Sequence, residues 1–198
     1  MKSLMQRALG GDWEKLPPAL QAHYRHGTNT DIGHLDIEYP GFLQPCLSVL
    51  RILGALVNRR GRRVPTVVEK RVVGERQYWR RTLTFPDGRV ICFNSFWIAA
   101  GGNQLVEYVN PLLGLQMAAH VHQGELHYSG ICYVLKLGPL RLSIPEWLAL
   151  GHTRIVEVAT DEAHFVMDFR LSHPLLGEVF RYSGEFAAVV EPVRRIRY

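Results

Sequence analysis

The hydrophobic period of the chain changes near residue 64. Before that point apolar residues recur at helical spacing; beyond it they alternate with polar ones in short runs separated by turn signals. The stretch LPPALQAHYRH, Leu16 to His26, places prolines where a first helical turn tolerates them, sets Leu20 and Tyr24 on one face and stops at Gly27. A second helical pattern follows in Phe42, Cys46, Val49, Leu50, Leu53, Leu56 and Val57, with Gln44, Ser48, Arg51 and Asn58 on a narrow opposite stripe. Its apolar face is expected to pack across a sheet. The alternative is a helix lying in a membrane interface, with the arginines that follow it at the headgroups.

From Val64 onward, runs rich in Val, Ile, Phe, Tyr and Thr predict strands near 64–73, 76–85, 89–98, 104–109, 113–122, 125–137, 153–160, 163–171 and 178–189. Tight turns such as Pro86-Asp87-Gly88, Gln123-Gly124 and Gly138-Pro139 join them, so antiparallel pairing is expected. Alternation is clearest at Phe165, Met167, Phe169 and Leu171, opposed by His164, Asp168 and Arg170. About nine meandering strands would leave exposed edges in a flat sheet. The predicted fold is α+β and mostly β: an antiparallel meander curled into a barrel or half-barrel, covered by N-terminal helices. A barrel of this size holds either packed side chains or one small ligand.

Composition narrows the class. The 198 residues, 47% hydrophobic with three cysteines, fit neither a collagenous, a disordered nor a disulfide-framework chain. One domain over 1–198 is expected, with a helical cover at 1–60, the sheet at 64–190 and a basic tail at 191–198. The net charge of +5 sits largely in Arg59, Arg60, Arg62 and Arg63 and in Arg194, Arg195 and Arg197. No zinc-finger or RNA-recognition signature accompanies them, so nucleic acid is not the expected partner; contact with an anionic membrane is the alternative use of these charges. Cys46, Cys92 and Cys132 read as buried thiols in apolar surroundings. The first ten residues lack a signal-peptide apolar run, and a cytoplasmic chain, with peripheral membrane contact as the variant, is expected.

Three groups of residues carry candidate chemistry. Arg81 alternates with Trp79, Leu83 and Phe85, and Glu107 stands between Leu105 and Val109, so both charges share faces with large apolar side chains. An interior arginine needs a carboxylate, and an Arg81–Glu107 ion pair is the structural reading. The functional reading has Arg81 hold the carboxylate or phosphate head of a ligand whose tail fills the barrel, with Tyr182 donating its hydroxyl and Trp79 lining the site. The second group is His120, His122, Glu125 and His127. A two-residue turn at Gln123-Gly124 would set 122 opposite 125 and 120 opposite 127 on one face, a donor set suited to zinc, iron or nickel. An exposed hairpin tip is the alternative. No cofactor is otherwise predicted. The third group, the carboxylates Glu157, Asp168, Glu178 and Glu185, leaves open an acid/base pair between two of them. No serine sits in a nucleophile elbow.

Several segments resemble a known bacterial family: LPPALQAHY at 16–24, RRVPTVVEKRVVGERQYWRRTL at 62–83, NQLVEYV at 103–109 and HPLLGEVFRYSGEF at 173–186. That family is the domain of unknown function 4166. The likeness runs over roughly 15 to 187 and rests mainly on Trp79-Arg80-Arg81, Leu105-Val106-Glu107, His173-Pro174 and Tyr182-Ser183-Gly184. Its members occur alone or behind a dehydrogenase-like dinucleotide-binding module, of which this sequence shows no GxGxxG unit. The family has no established activity, so the resemblance implies a domain type and no reaction. The leading expectation is a non-enzymatic, calyx-like module for a small amphipathic or acyl-type ligand. The alternatives are an enzyme, metal-dependent through the histidine hairpin, and an accessory module of a dehydrogenase-like partner.

Overall fold

A computed structural model describes residues 2–189. Helix α1 (Leu4–Leu9), a 3-10 turn (Gly10–Lys15) and α2 (Pro18–His23) lead into β1 (Asn29–Glu38). A second 3-10 turn (Gly41–Leu43) and α3 (Gln44–Ile52) precede an antiparallel series: β2 (Gly61–Val73), β3 (Arg76–Thr84), β4 (Val90–Gly101), β5 (Gln104–Tyr108), β6 (Leu113–His122) and β7 (Glu125–Leu137). After β8 (Leu140–Pro145) and a short turn (Glu146–Leu148) come β9 (His152–Ala159), β10 (His164–His173) and β11 (Gly177–Val189).

Ten of these strands close a barrel. The order β6-β5-β4-β3-β2-β1-β11-β10-β9-β7 is sealed by the β6–β7 hairpin, so neither end strand is left unpaired. Strand β7 serves two partners. Its first half, Leu126–Ser129, pairs with β9, and its second half, Cys132–Leu137, pairs with β8, which stands outside the ring as a flap. The β7–β8 hairpin therefore peels away from β9 at one end of the barrel.

The two ends are treated differently. The end carrying the start of β1 and the tip of the β6–β7 hairpin is plugged by α1, the first 3-10 turn and α2, which bury Met5, Leu9, Trp13, Leu20 and Tyr24 in the core. Ser3 and Gln6 form a reciprocal capping box on α1, and Asn29 Nδ2 closes α2 by donating to the carbonyls of Ala22 and His23. The opposite end, the mouth, is roofed in part by α3 and the 145–150 segment.

Two glycines let β1 and β11 close the ring. A Cβ on Gly33 would meet the Glu185 carbonyl, and one on Gly184 would meet the His34 carbonyl. Gly130 on β7 makes room for a side chain instead. The Glu146 carboxylate lies where its Cβ would be, accepting from Thr153 N at 2.9 Å and from His152 Nδ1 at 2.6 Å. That buried carboxylate pins the 146–148 turn to the barrel wall. Gly130→Ala is expected to expel it and cost about 1–3 kcal/mol, the range for stranding hydrogen-bonded buried groups. A lowered urea midpoint with an unchanged m-value checks this.

All nine predicted strands are present, and two further ones, β1 and β8, appear. Strand β1 was not legible because the interior positions of its first half hold Asn29, Asp31 and Gly33 while Ile32 faces solvent, the reverse of the usual alternation, which leaves only Leu35 and Ile37 in the expected pattern. The region 1–60 is thus not wholly a helical cover. Helix α3 also differs from expectation. It is shorter, buries Leu47, and leaves Phe42, Cys46, Val49, Ile52 and Leu53 exposed, while Arg51 donates to the Cys92 carbonyl at 3.1 Å. The roof is narrow enough that only one line of the helix meets the barrel. Cys46 is accordingly exposed rather than buried, and Cys92 and Cys132 are half-buried. The predicted basic tail at 191–198 lies outside the described residues.

Candidate functional site

The barrel interior holds two chambers that share Leu35, Arg81, Glu107 and Tyr182 as lining. The upper one, beneath the mouth, is a cavity of about 240 Å³ lined by apolar side chains, among them Leu35, Leu56, Leu83, Leu115, Phe169 and Phe180. Polar groups meet it at the floor, where Arg81, Glu107 and Tyr182 also line the smaller chamber below.

The floor follows from strand register. Position 81 of β3 pairs with 93 of β4, so Ser95, two residues further along β4, shares the inward face with Arg81. Trp97 on β4 pairs with Glu107 on β5, which brings the carboxylate beside them. Arg81 donates from one guanidinium nitrogen to Ser95 Oγ at 2.9 Å and from another to Glu107 Oε1 at 3.1 Å. Ser95 in turn donates to Glu107 at 2.6 Å. The guanidinium also rides over the rings of Trp79 and Phe93, at 5.0 and 5.2 Å. Side chains of Arg81 and Glu107 are each 13% exposed. Tyr182, stacked on Phe169 at 4.5 Å, adds a hydroxyl whose ionisation burial pushes upward, so it is a donor at any physiological pH.

The lower chamber, about 40 Å³, is polar and aromatic. The Lys70 ammonium, completely buried, contacts Asp31 Oδ2 at 2.6 Å and the His23 carbonyl at 2.6 Å. His23 Nδ1 lies 2.8 Å from both Lys70 Nζ and Asp31 Oδ2, so it accepts from the one or donates to the other. Across the chamber Tyr24 donates to the Glu157 carboxylate at 2.8 Å and accepts from Tyr128 at 2.6 Å. The indole N–H groups of Trp79 and Trp97 have no acceptor among the described residues, though the rings stack 5.0 Å apart on this chamber's wall.

Burial governs the protonation of these groups. Desolvation is the main cause lowering His23 to about 4, opposed by Asp31 and assisted by Lys70. Desolvation likewise raises Glu157 to about 7, against the Tyr24 hydrogen bond and the Lys70 charge. The two groups then act oppositely on stability. Between about pH 4.5 and 6.5 the unfolded chain holds a proton on His23 that the fold lacks, so that contribution falls as pH falls. Over the same window folded Glu157 holds a proton the unfolded chain lacks, so its contribution falls as pH rises. The wild-type profile is expected to be nearly flat there. Glu157→Gln should expose the His23 slope, about 1.4 kcal/mol per pH unit with stability rising with pH; chemical denaturation at pH 5 and pH 6 measures it.

Of the sequence candidates, Arg81, Glu107 and Tyr182 meet at the floor and Trp79 lies just beneath it. The histidine hairpin forms as expected, with His120 opposite His127 and His122 opposite Glu125, on the outer face. His120 and His127 stack at 5.3 Å, and His127 Nε2 lies 3.1 Å from Glu125 Oε2. Among the described residues no group of three or more His, Cys, Asp or Glu side chains is placed to hold a metal ion. The four carboxylates do not pair with one another: Asp168 receives Arg170 and Arg181 on the outside, Glu178 faces Arg170, and Glu157 alone is interior.

Sequence reading overlooked Lys70, Asp31, His23, Tyr24, Tyr128 and Ser95. Lys70 shares the inward face of Val64, Thr66 and Val68, a signal as good as that of Arg81, but it sits between Glu69 and Arg71 and reads as part of a solvated charge run. No helix among the described residues is long and apolar enough to cross a membrane. No curated protein matches the chain. The model of one family, described as "Domain of unknown function (DUF4166)", matches residues 16–186, a span that takes in the whole floor and nearly all of the barrel, and the chain belongs to this family.

Proposed function

We propose that the barrel is a calyx-like binding module for a small amphipathic, acyl-type molecule. The observation that carries this reading is the upper chamber: about 240 Å³ of apolar space with its charged groups, Arg81 and Glu107, gathered at one end. Taking ~30 Å³ per water-sized group, that volume suits a tail of about eight carbons. Charge at the floor narrows the head group. Arg81 is already matched by Glu107, and Lys70 by Asp31, so the interior offers no surplus positive charge. An ionised carboxylate or phosphate would enter as an unbalanced charge, at high cost in this setting. A neutral head that exchanges hydrogen bonds with Tyr182 and the spare N–H groups of Arg81 fits better: an alcohol, an ester or a protonated acid.

Isothermal titration with octan-1-ol, methyl octanoate and octanoate tests this. Saturable one-to-one binding of the neutral compounds is expected, weaker binding of octanoate at pH 8, and loss of both in Leu150→Trp, which fills the mouth. No saturable heat from any of the three would sink the reading.

One observation favours a second reading, an enzyme. Glu157, raised to about 7 and hydrogen-bonded to Tyr24, has the proton affinity of a general acid or base, and it lies one layer below the floor. Conversion of a bound acyl compound by wild type and not by Glu157→Gln, read as a mass change in the extracted ligand, supports it; an unchanged mass removes it.

A further inference from the structure

We infer that the mouth of the barrel docks on an anionic membrane surface. Large apolar side chains are exposed around this opening: Phe42, Val49 and Ile52 from α3 and its lead-in turn, Trp147 and Leu148 from the turn after β8, and Leu175 from the β10–β11 hairpin. Ile52 and Leu175 are 85% and 87% exposed. These elements are neighbours. α3, residues 149–150 and the 173–176 hairpin line one cleft, and Asn110 Nδ2 ties the β5–β6 turn to the Leu53 carbonyl at 2.6 Å. Leu50 of α3 and Ala149 and Leu150 of the roof also line the apolar chamber. Large apolar side chains exposed from three neighbouring elements around one opening mark an interaction surface.

Charge identifies the occupant. Between Glu38 and Pro65 the chain carries Arg51, Arg59, Arg60, Arg62 and Arg63, and Glu38 is the one acid. Arg60, Arg62 and Arg63 are exposed, and they stand where β2 enters the barrel beside the end of β1, at the mouth. Arg59 reaches Asp87 of the β3–β4 turn at the same end. Protruding apolar tips flanked by arginines match a bilayer, whose anionic headgroups take the guanidinium groups while the tips enter the acyl layer. Trp147 suits the depth between them. A second copy of this chain would bring two arginine-rich rims together, and they would repel. The inference deepens the proposed binding of an acyl compound, and rests on that reading for its purpose: a mouth seated on lipid lets an apolar ligand enter without crossing water.

Co-sedimentation with vesicles of phosphatidylcholine, with and without phosphatidylglycerol, tests it. Binding is expected to the mixed vesicles, about tenfold weaker or less to phosphatidylcholine alone, and released by added salt. The variant Ile52→Ser/Leu175→Ser should lose about tenfold or more of that binding at an unchanged Tm, since two large side chains would no longer be buried in lipid. Leu150→Trp, which blocks the chamber, should still sediment, so failure of ligand binding and failure of docking are read separately. Equal sedimentation by the double variant, equal binding to both vesicles, or a dimer in light scattering that the double variant abolishes would each overturn the proposal.

Discussion

Lys70→Met is expected to cost the fold about 3–5 kcal/mol, the range for removing one partner of a fully buried ion pair. The ammonium is completely shielded from solvent and Asp31 is 1% exposed, so neither charge has water to fall back on. Lys70 also supplies donors to the His23 carbonyl and Nδ1, and its cation sits 5.0 Å above the Trp79 ring. Methionine fills similar volume, which confines the loss to charge and hydrogen bonding. The abandoned Asp31 would recruit a proton. His23 is held down partly by Lys70 and drawn up by Asp31, so without the lysine its affinity for a proton rises. A protonated His23 then replaces the missing cation, and the deficit should be larger at pH 8 than at pH 5. Lys70→Met/Asp31→Leu removes both charges and is expected to recover much of the loss. Guanidinium unfolding of the three proteins at both pH values measures the set. A single-variant loss below about 1 kcal/mol, typical of exposed pairs, would mean the pair is hydrated.

This pair also shows where sequence reading stops. Alternation located Arg81 and Glu107 because each is the lone charge on the inward face of its strand, beside Trp79 and Leu83 in one case and Leu105 in the other. Lys70 obeys the same alternation but is flanked by charges, so its local composition argues for solvent. Asp31 is harder still, since the inward positions in its half of β1, Asn29, Asp31 and Gly33, are not apolar. The closed ring depended on that strand. Nine predicted strands give a meander with two ends, and β1, pairing with both β2 and β11, is what joins them. The interior polar cluster was invisible for the same reason: His23, Tyr24 and Asp31 come from the plug and from β1, and Glu157 and Tyr128 from the far wall. Contacts of that sequence separation leave no local spacing to read. Helix α3 erred in the opposite direction. Its apolar period is real, yet the surface it meets is small, and the pattern records exposure at the mouth instead of burial.

Arg81→Met is expected to cost about 3 kcal/mol, the low end of the buried-pair range, because Glu107 borders a chamber that water can enter. Glu107 would keep the Ser95 hydrogen bond, which offsets part of the loss. Glu107→Gln should cost less than Arg81→Met: the amide oxygen still accepts from Ser95 and Arg81, and the lone guanidinium keeps its place over two aromatic rings. A double-mutant cycle with Arg81→Met/Glu107→Leu separates the pair's coupling from packing. Stability alone does not distinguish a wall brace from a head-group site. If Arg81 only braces the wall, Arg81→Met binds octan-1-ol as wild type does once its lower stability is allowed for. If it holds the head group, octan-1-ol binding falls about tenfold, the equivalent of about 1.4 kcal/mol. The loss should also follow the head group and not the tail, so lengthening the alcohol by one carbon should add the same increment to both proteins. Tail and head then contribute separately, as the division between apolar chamber and polar floor requires.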